Sequence, residues 1–457
     1  MDSSSRHTLA VVLLALTILG LLSAMPWSSL TGGRMSDFSL ISDLVGTTSG
    51  EPAIPALVNE SLEAELAEIP ADTVAAAVEV NAEDTVVAAP VALAEAPMEN
   101  GHVQVEAYGG AMFPRFRQAL AQASSRTVRI AVLGDSFIEA DIMTQDLRRL
   151  LQERYGGAGV GYMAMHSDFP GFRQSIRQSD RGWNQIDVRN MRRSDSLRTI
   201  NNEYAVTQAG TVTYTGTDFD AGTQAWSRSR FVFLAKDSAV VKMTTDAGEQ
   251  VFYAEPSGML QCVEVYGNTR SLEIECNGEV CALGAYLDGD AGIAVDCMSV
   301  RGNSGLPLRF LNPDMCGQLR NNIDYDLIIL EYGTNAMTAG QTDYESYAMA
   351  FRRAINKIQS LYPNADIMLL GVGDRGRKQG TAIVSMEECT GMTNAQRAAA
   401  SETGIHFFDV RAAQGGSGAA AEWRRRGLMN ADYIHINHEG GAVLADEIAE
   451  ALFNATK

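Results

Sequence analysis

Val128-Arg129-Ile130-Ala131-Val132-Leu133-Gly134-Asp135-Ser136 runs from an apolar, β-branched stretch straight into a turn, and an amphipathic segment with Ile142, Leu147, Leu150 and Leu151 follows. Strand, turn and helix in that order form the unit from which parallel α/β sheets are built. A serine at the carboxyl end of such a strand sits where open α/β sheets place ligands. Chance supplies Gly-Asp-Ser in roughly one chain in ten of this length. Its placement gives it weight: Ser136 reads as a nucleophile in need of a base.

Outward from this unit, strand-like runs recur at 293–300, 327–332, 367–371 and 406–409. Helical patterns at 139–155, 343–361, 394–403 and 440–453 lie between or after them. Ala348, Phe351, Ile355 and Ile358 show the spacing of one buried helical stripe. The alternation predicts a doubly wound parallel sheet with helices on both faces, a three-layer α/β/α arrangement. Residues 101–170 and 291–457 are its two parts. Between them, 171–290 contains short β-type runs at 211–214, 230–234, 238–244, 251–253, 260–266 and 271–275, broken by Gly, Asn, Asp and Ser. That spacing predicts an inserted antiparallel β-sandwich-like domain.

The chain has 457 residues and a net charge of −20, which argues against nucleic acid as a partner. Eleven Asp and Glu and no Lys or Arg fall within 51–100, a stretch without aromatics. Residues 28–100 therefore read as a disordered acidic tether rich in Ala, Pro and Glu. Arg6 and His7 precede an apolar run, so 1–27 reads as a signal peptide or a retained signal anchor. Residues 8–25 would then provide inner-membrane anchorage, and either version exports the body of the chain. The six cysteines show no Cys-x-x-Cys spacing, which argues against a zinc site. Cys276 and Cys281 flank Asn277-Gly278, the signature of a tight hairpin that would let them pair; isolated buried thiols are the alternative.

Three further segments bring chemistry toward Ser136. Asn303-Ser304-Gly305 follows the second strand and Gly333-Thr334-Asn335 the third, while Asp432-Tyr433-Ile434-His435 precedes the last helix. His435 suits a general base because imidazole titrates near neutrality, and Asp432 is placed to orient it. The backbone N–H groups of Ser136 and Gly305 and the Asn335 amide are candidate oxyanion donors. His438 is a competing base without an Asp three residues before it, and otherwise lines the cleft or caps the final helix. Asp135 reads as a turn-bracing residue and Gly302 as a requirement of turn geometry. Asp374 and Arg375 follow a strand end, and they join Trp226 and His438 as candidate substrate contacts. No metal or organic cofactor is implied.

These blocks, in this order, resemble the SGNH (GDSL-type) hydrolases over about 127–168 and 293–453. The resemblance implies Ser136 as nucleophile, Gly305 and Asn335 as oxyanion donors, and Asp432 and His435 as the rest of the triad. Ala336 departs from the pattern, since many members carry Asp there to brace the loop. Within the superfamily the chain is most similar to the periplasmic peptidoglycan O-acetylesterases. The likeness rests on the stretch Gly134-Asp135-Ser136-Phe137-Ile138-Glu139-Ala140-Asp141, on a β-rich, carbohydrate-binding-like insertion, and on the distance from Ser to His. It implies a periplasmic serine esterase that removes acetyl groups from the C6 hydroxyl of muramoyl residues, with an acetylated envelope glycan as its partner. A polysaccharide O-acetyltransferase with the same site and a non-catalytic glycan-binding scaffold are the alternatives.

Overall fold

The computed structural model describes residues 95–457. The segment 8–25 and nearly all of the 28–100 tether lie outside the described residues. Among the described residues no helix is long and apolar enough to cross a membrane. The boundary at 100/101 falls inside a hairpin, because Met98–Glu99 pairs with His102–Val103 across a turn at Asn100 and Gly101.

The central sheet has six strands: β1 (Glu106–Ala107), β2 (Thr127–Gly134), β3 (Gly292–Ser299), β4 (Leu327–Glu331), β5 (Asp366–Leu370) and β6 (His406–Phe408). Their order is β3-β2-β4-β5-β6-β1, parallel except for β1, which runs antiparallel to β6. Side chains two apart share a face. Val128, Ile130 and Val132 of β2 thus join Leu327 and Ile329 of β4 in one buried cluster, while Ala131, Leu133, Ile328 and Leu330 join another. Both faces are apolar, as a sheet covered by helices on each side requires.

The covering helices are α1 (Thr144–Tyr155), α2 (Glu345–Leu361), α3 (Glu387–Thr403) and α4 (His438–Ala455). Leu147 and Leu151 of α1 and Leu444, Ile448 and Leu452 of α4 belong to the first cluster. Phe351, Ile355 and Ile358 of α2 and Met392 and Ala399 of α3 belong to the second. The layers are therefore α/β/α. Helix α3 begins seven residues earlier than its apolar pattern, at a turn holding buried Glu388 and Cys389, which weaken the periodicity.

The inserted strands differ from two stacked sheets. All nine, beginning with Gly161–Met163, are hydrogen-bonded into a single antiparallel sheet. Its spine is the 18-residue strand Ser271–Asp288. Along one edge this spine pairs with Glu203–Gly216 and then Gly161–Met163, and along the other with Ala239–Thr245 and then Trp226–Ala235. Register shifts between Asn277 and Val280 and between Ala282 and Gly284 interrupt its pairing. Bulges of this kind bend a strand, and the bent sheet encloses its own core around Trp226, Phe231 and Ile274. The first bulge also overturns the hairpin reading of Cys276 and Cys281. Asn277-Gly278 spends its turn propensity on the bulge, with Gly278 at φ 118°, and the strand continues through it. All six cysteines are free thiols.

A buried ion cluster joins the two sheets. Arg129 of β2 pairs with Asp296 of β3 at 2.8 Å and with Asp288 at the end of the spine, and Arg230 reaches Asp288 at 2.9 Å. Burial opposes ionisation of Asp288, but Arg129 and Arg230 outweigh it and hold its carboxyl below the ordinary value.

Candidate active site

Strand β2 ends at Gly134, and the chain turns with Asp135, Ser136 and Phe137 at the carboxyl edge of the sheet. The Ser136 hydroxyl lies 2.9 Å from His435 Nε2, and His435 Nδ1 lies 2.7 Å from Asp432 Oδ2. Asp432 also accepts the backbone N–H groups of Ile434 at 2.9 Å and His435 at 3.1 Å. Burial raises the Asp432 pKa, yet the bonds from His435 and these N–H groups prevail and keep it below its ordinary value. The loop closes because Tyr433 takes φ 58°, a left-handed conformation that costs a non-glycine residue roughly 1–2 kcal/mol. Asn430 N–H donates to the His435 carbonyl at 2.8 Å and locks the turn.

The structure thus brings Ser136, His435 and Asp432 together. His438 lies apart from them, as the first residue of α4. Its Nε2 is 3.1 Å from the Phe172 carbonyl and its Nδ1 is 3.2 Å from the Gln145 amide.

The oxyanion donors divide differently from the sequence reading. Gly305 N–H donates to Asn303 Oδ1 at 3.0 Å, and a Cβ at Gly305 would meet Tyr332 and Phe351 side-chain atoms at 2.7 Å. Gly305 is therefore a turn glycine pressed against the core, with its donor already spent. Gly302, at φ 72°, has open space where a Cβ would stand. The N–H groups of Gly302 and Ser136 have no acceptor among the described residues.

Asn335 is held from below. Its Nδ2 donates to Asp135 Oδ2 at 2.7 Å and approaches the Asn303 carbonyl at 3.4 Å. The other Asp135 oxygen accepts Phe137 N–H at 2.9 Å. Asp135 is wholly buried, which pushes its carboxyl up to about 6. Beside it Glu331, the last residue of β4 and the register partner of Gly134, is also buried. Burial, and then the Asp135 charge, push the Glu331 carboxyl well up. The sequence reading passed over Glu331, although a lone carboxylate ending an apolar strand was the available signal. It also passed over Gln396, which donates to the Tyr332 carbonyl at 2.6 Å and accepts Val372 N–H at 2.9 Å, fixing the turn that carries Asn335. Ala336 is buried and offers no polar brace, so the contact to Asn335 comes from Asp135 instead.

Two candidate substrate contacts are committed elsewhere. Asp374 is buried, accepting from Arg411 at 3.0 Å, Ser385 at 2.6 Å and Ala420 N–H at 2.9 Å, so it fastens loops together. Trp226 is 1% exposed within the antiparallel core and donates to Ser229 at 2.7 Å, out of reach of any ligand. Arg375 differs: it is 8% exposed, and its guanidinium has no hydrogen-bond or ion-pair partner among the described residues. Burial depresses its pKa, and neighbouring Gly376 N–H donates to the Tyr433 carbonyl at 2.9 Å. Arg375 therefore adjoins the loop that carries Asp432.

Residues 265–443, less than half of the chain, match the GDSL-like lipase/acylhydrolase family. No curated protein matches the chain in sequence. A solved peptidoglycan O-acetylesterase is similar with a TM-score of 0.65 at 22% identity, over 77% of this chain and 99% of that one. A family two carbohydrate esterase from Cellvibrio japonicus, at 12% identity over 61% of this chain and 98% of its own, has a TM-score of only 0.27 and adds nothing to the argument. The chain thus matches the GDSL-like lipase/acylhydrolase family over residues 265–443, and its fold resembles that of the solved peptidoglycan O-acetylesterase.

Proposed function

We propose that this chain is a serine esterase that removes O-acetyl groups from an envelope polysaccharide, with peptidoglycan as its substrate. The observation that carries the reading is the hydrogen-bonded line from Ser136 through His435 to Asp432, at 2.9 and 2.7 Å. His435 Nε2 takes the Ser136 proton as Oγ attacks the acetyl carbonyl, and Asp432 stabilises the resulting imidazolium. The oxyanion is met by the free N–H groups of Ser136 and Gly302 and by the Asn335 amide. His435 then hands the proton to the departing sugar hydroxyl, leaving acetyl-Ser136. A water activated by His435 hydrolyses that ester and frees acetate.

Arg375, an unpaired cation beside the acid–base loop, is the remaining candidate contact for an anionic part of the glycan. The apolar run at 8–25 and the acidic tether support an exported, periplasmic body, held to the inner membrane if the signal is retained.

The test is acetate release from acetylated peptidoglycan and from acetylated xylan, read by mass spectrometry. Ser136→Ala should lower release about 10⁴-fold or more. Preference for xylan would overturn the polymer, and acetylation of an added acceptor glycan in place of acetate release would make the protein a transferase. Unchanged hydrolysis of 4-nitrophenyl acetate by Ser136→Ala would sink the serine mechanism.

A further inference from the structure

A cavity of about 410 Å³ opens beside the nucleophile turn, between the parallel sheet and the bent antiparallel one. Its near wall is Glu139–Asp141, just after Ser136, and residues 299–301, just before Gly302. Val300 N–H donates to the Gly134 carbonyl at 3.1 Å and Arg301 binds Glu139 at 2.7 Å, so this wall is continuous with the reacting serine. The far wall comes from Gln178, Gln185 and Glu203 of the antiparallel sheet, and Phe169 stands at the rim.

The wall is held stiffly. Ala140 and Asp141 both adopt positive φ, 54° and 69°. Arg148 locks that conformation by gripping Asp141 with two bonds of 2.8 Å, joined by Arg173 at 3.0 Å and Ser175 at 2.8 Å. A preformed wall loses little freedom when a ligand binds.

The cations lining the cavity are already engaged by carboxylates. Arg173 faces Asp141, Arg189 faces Asp187 at 2.6 Å, Arg301 faces Glu139, and His166 lies between Asp168 and Asp180. Among the described residues each Arg and His lining the cavity has a carboxylate partner, so none stands free for an anionic ligand group. What remains is hydrogen-bonding capacity. Glu203 accepts from Tyr162 at 3.0 Å and Gln185 at 2.9 Å, and Gln178, Gln185 and Glu203 all line the cavity. Phe169 is 47% exposed and its ring is flanked by Arg301 at 5.1 Å. An aromatic face beside planar amide and carboxyl groups suits a ring that is apolar on one side and rich in hydroxyls at its edge.

We propose that this cavity is a saccharide subsite that receives the uncharged pyranose next to the acetylated sugar, with Phe169 against its C–H face and Gln185 and Glu203 on its hydroxyls. The proposal rests on Ser136 being the esterase nucleophile beside which the chain of sugars lies. A glycan bound this way would present its ester to Ser136 by way of a neighbour and not by the acetyl group alone.

The experiment compares kcat/KM on an O-acetylated chito-oligosaccharide of two or more units, an O-acetylated monosaccharide and 4-nitrophenyl acetate. Wild type should favour the oligosaccharide over the monosaccharide about tenfold or more, through KM. Phe169→Ala and Gln185→Ala should each erase about tenfold of that preference, losing far more on the oligosaccharide than on 4-nitrophenyl acetate. Equal losses on all three substrates, or no preference in the wild type, would overturn the subsite. Binding of unacetylated chitotriose to Ser136→Ala protein, followed calorimetrically, tests the subsite without catalysis. Binding that weakens in the Phe169→Ala background supports it even if the esterase reading fails, and absence of binding overturns it.

Discussion

Replacing Asp135 by Ala should slow the reaction by way of Asn335, with little effect on substrate binding. Asp135 and Glu331 are buried side by side, and among the described residues no Lys or Arg pairs with either. Two ionised carboxylates about 4 Å apart would repel by about 4 kcal/mol even at an effective dielectric of 20. At neutral pH the pair therefore keeps one proton, and burial together with the Asp135 charge raises the Glu331 carboxyl. Asp135 carries the charge because Phe137 N–H and the Asn335 amide both donate to it. The 2.7 Å bond to Asn335 is charge-assisted, a class worth about 1.5–3 kcal/mol. Losing it frees the Asn335 rotamer and should cost about 10- to 100-fold in kcat. The ceiling is the ~10²–10³ expected from removing an oxyanion donor outright. The assay is 4-nitrophenyl acetate hydrolysis by Asp135→Ala, Asn335→Ala and the double variant, beside thermal melting of each. KM should barely move, and the double variant should be no slower than Asn335→Ala alone, because both changes remove the same donor. Melting should fall less than the rate implies, since the substitution also relieves a crowded acid pair. Multiplicative rate losses in the double variant, or melting that collapses in step with kcat, would refute the reasoning.

Two more expectations follow from buried charge. Burial raises the Glu203 carboxyl from 4.5 to about 7, so the fold favours its acid form and that stability is lost as pH rises from about 4.5 through 7. Glu203→Gln should therefore melt higher than wild type at pH 8, by on the order of 2 kcal/mol once the part of Glu203 facing the cavity is allowed for, and no higher at pH 4; an equal gain at both would contradict the assignment. Arg148→Met should cost about 3–5 kcal/mol in chemical denaturation by leaving Asp141 underpaired, and should lower kcat as well, because the 139–141 wall follows directly on Ser136. A stable variant with a normal rate would show that Arg173 suffices.

Some of this molecule is written in short-range pattern. Strands β2 to β6 and helices α1, α2 and α4 stand where apolar periodicity puts them, because burial on a covered sheet depends on side chains two, three or four residues apart. Asp432 and His435 share one turn, so their three-residue spacing could be read directly. Ser136 was legible as the serine in the turn just past β2. Strand β1 was not, since two residues carry no period and only β6 gives them a place. The bent antiparallel sheet was half legible: its short runs could be seen, but not that several belong to one continuous 18-residue strand that turns at bulges without breaking.

The sequence by itself determined an α/β layer, a serine at a strand end and an Asp-His pair near the last helix. The tertiary structure decided which neighbours matter. It chose Gly302 over Gly305 as the glycine with a free N–H, because Asn303 and the core beneath Tyr332 claim the second. It sent Trp226 and Asp374 into the interior and set Glu331 beneath the turn that carries Ser136, in register with Gly134 nearly 200 residues away. The physical reason is range: periodicity reports which face of an element is buried, but the partner across that face is selected by packing, charge and hydrogen bonding between segments the chain keeps far apart.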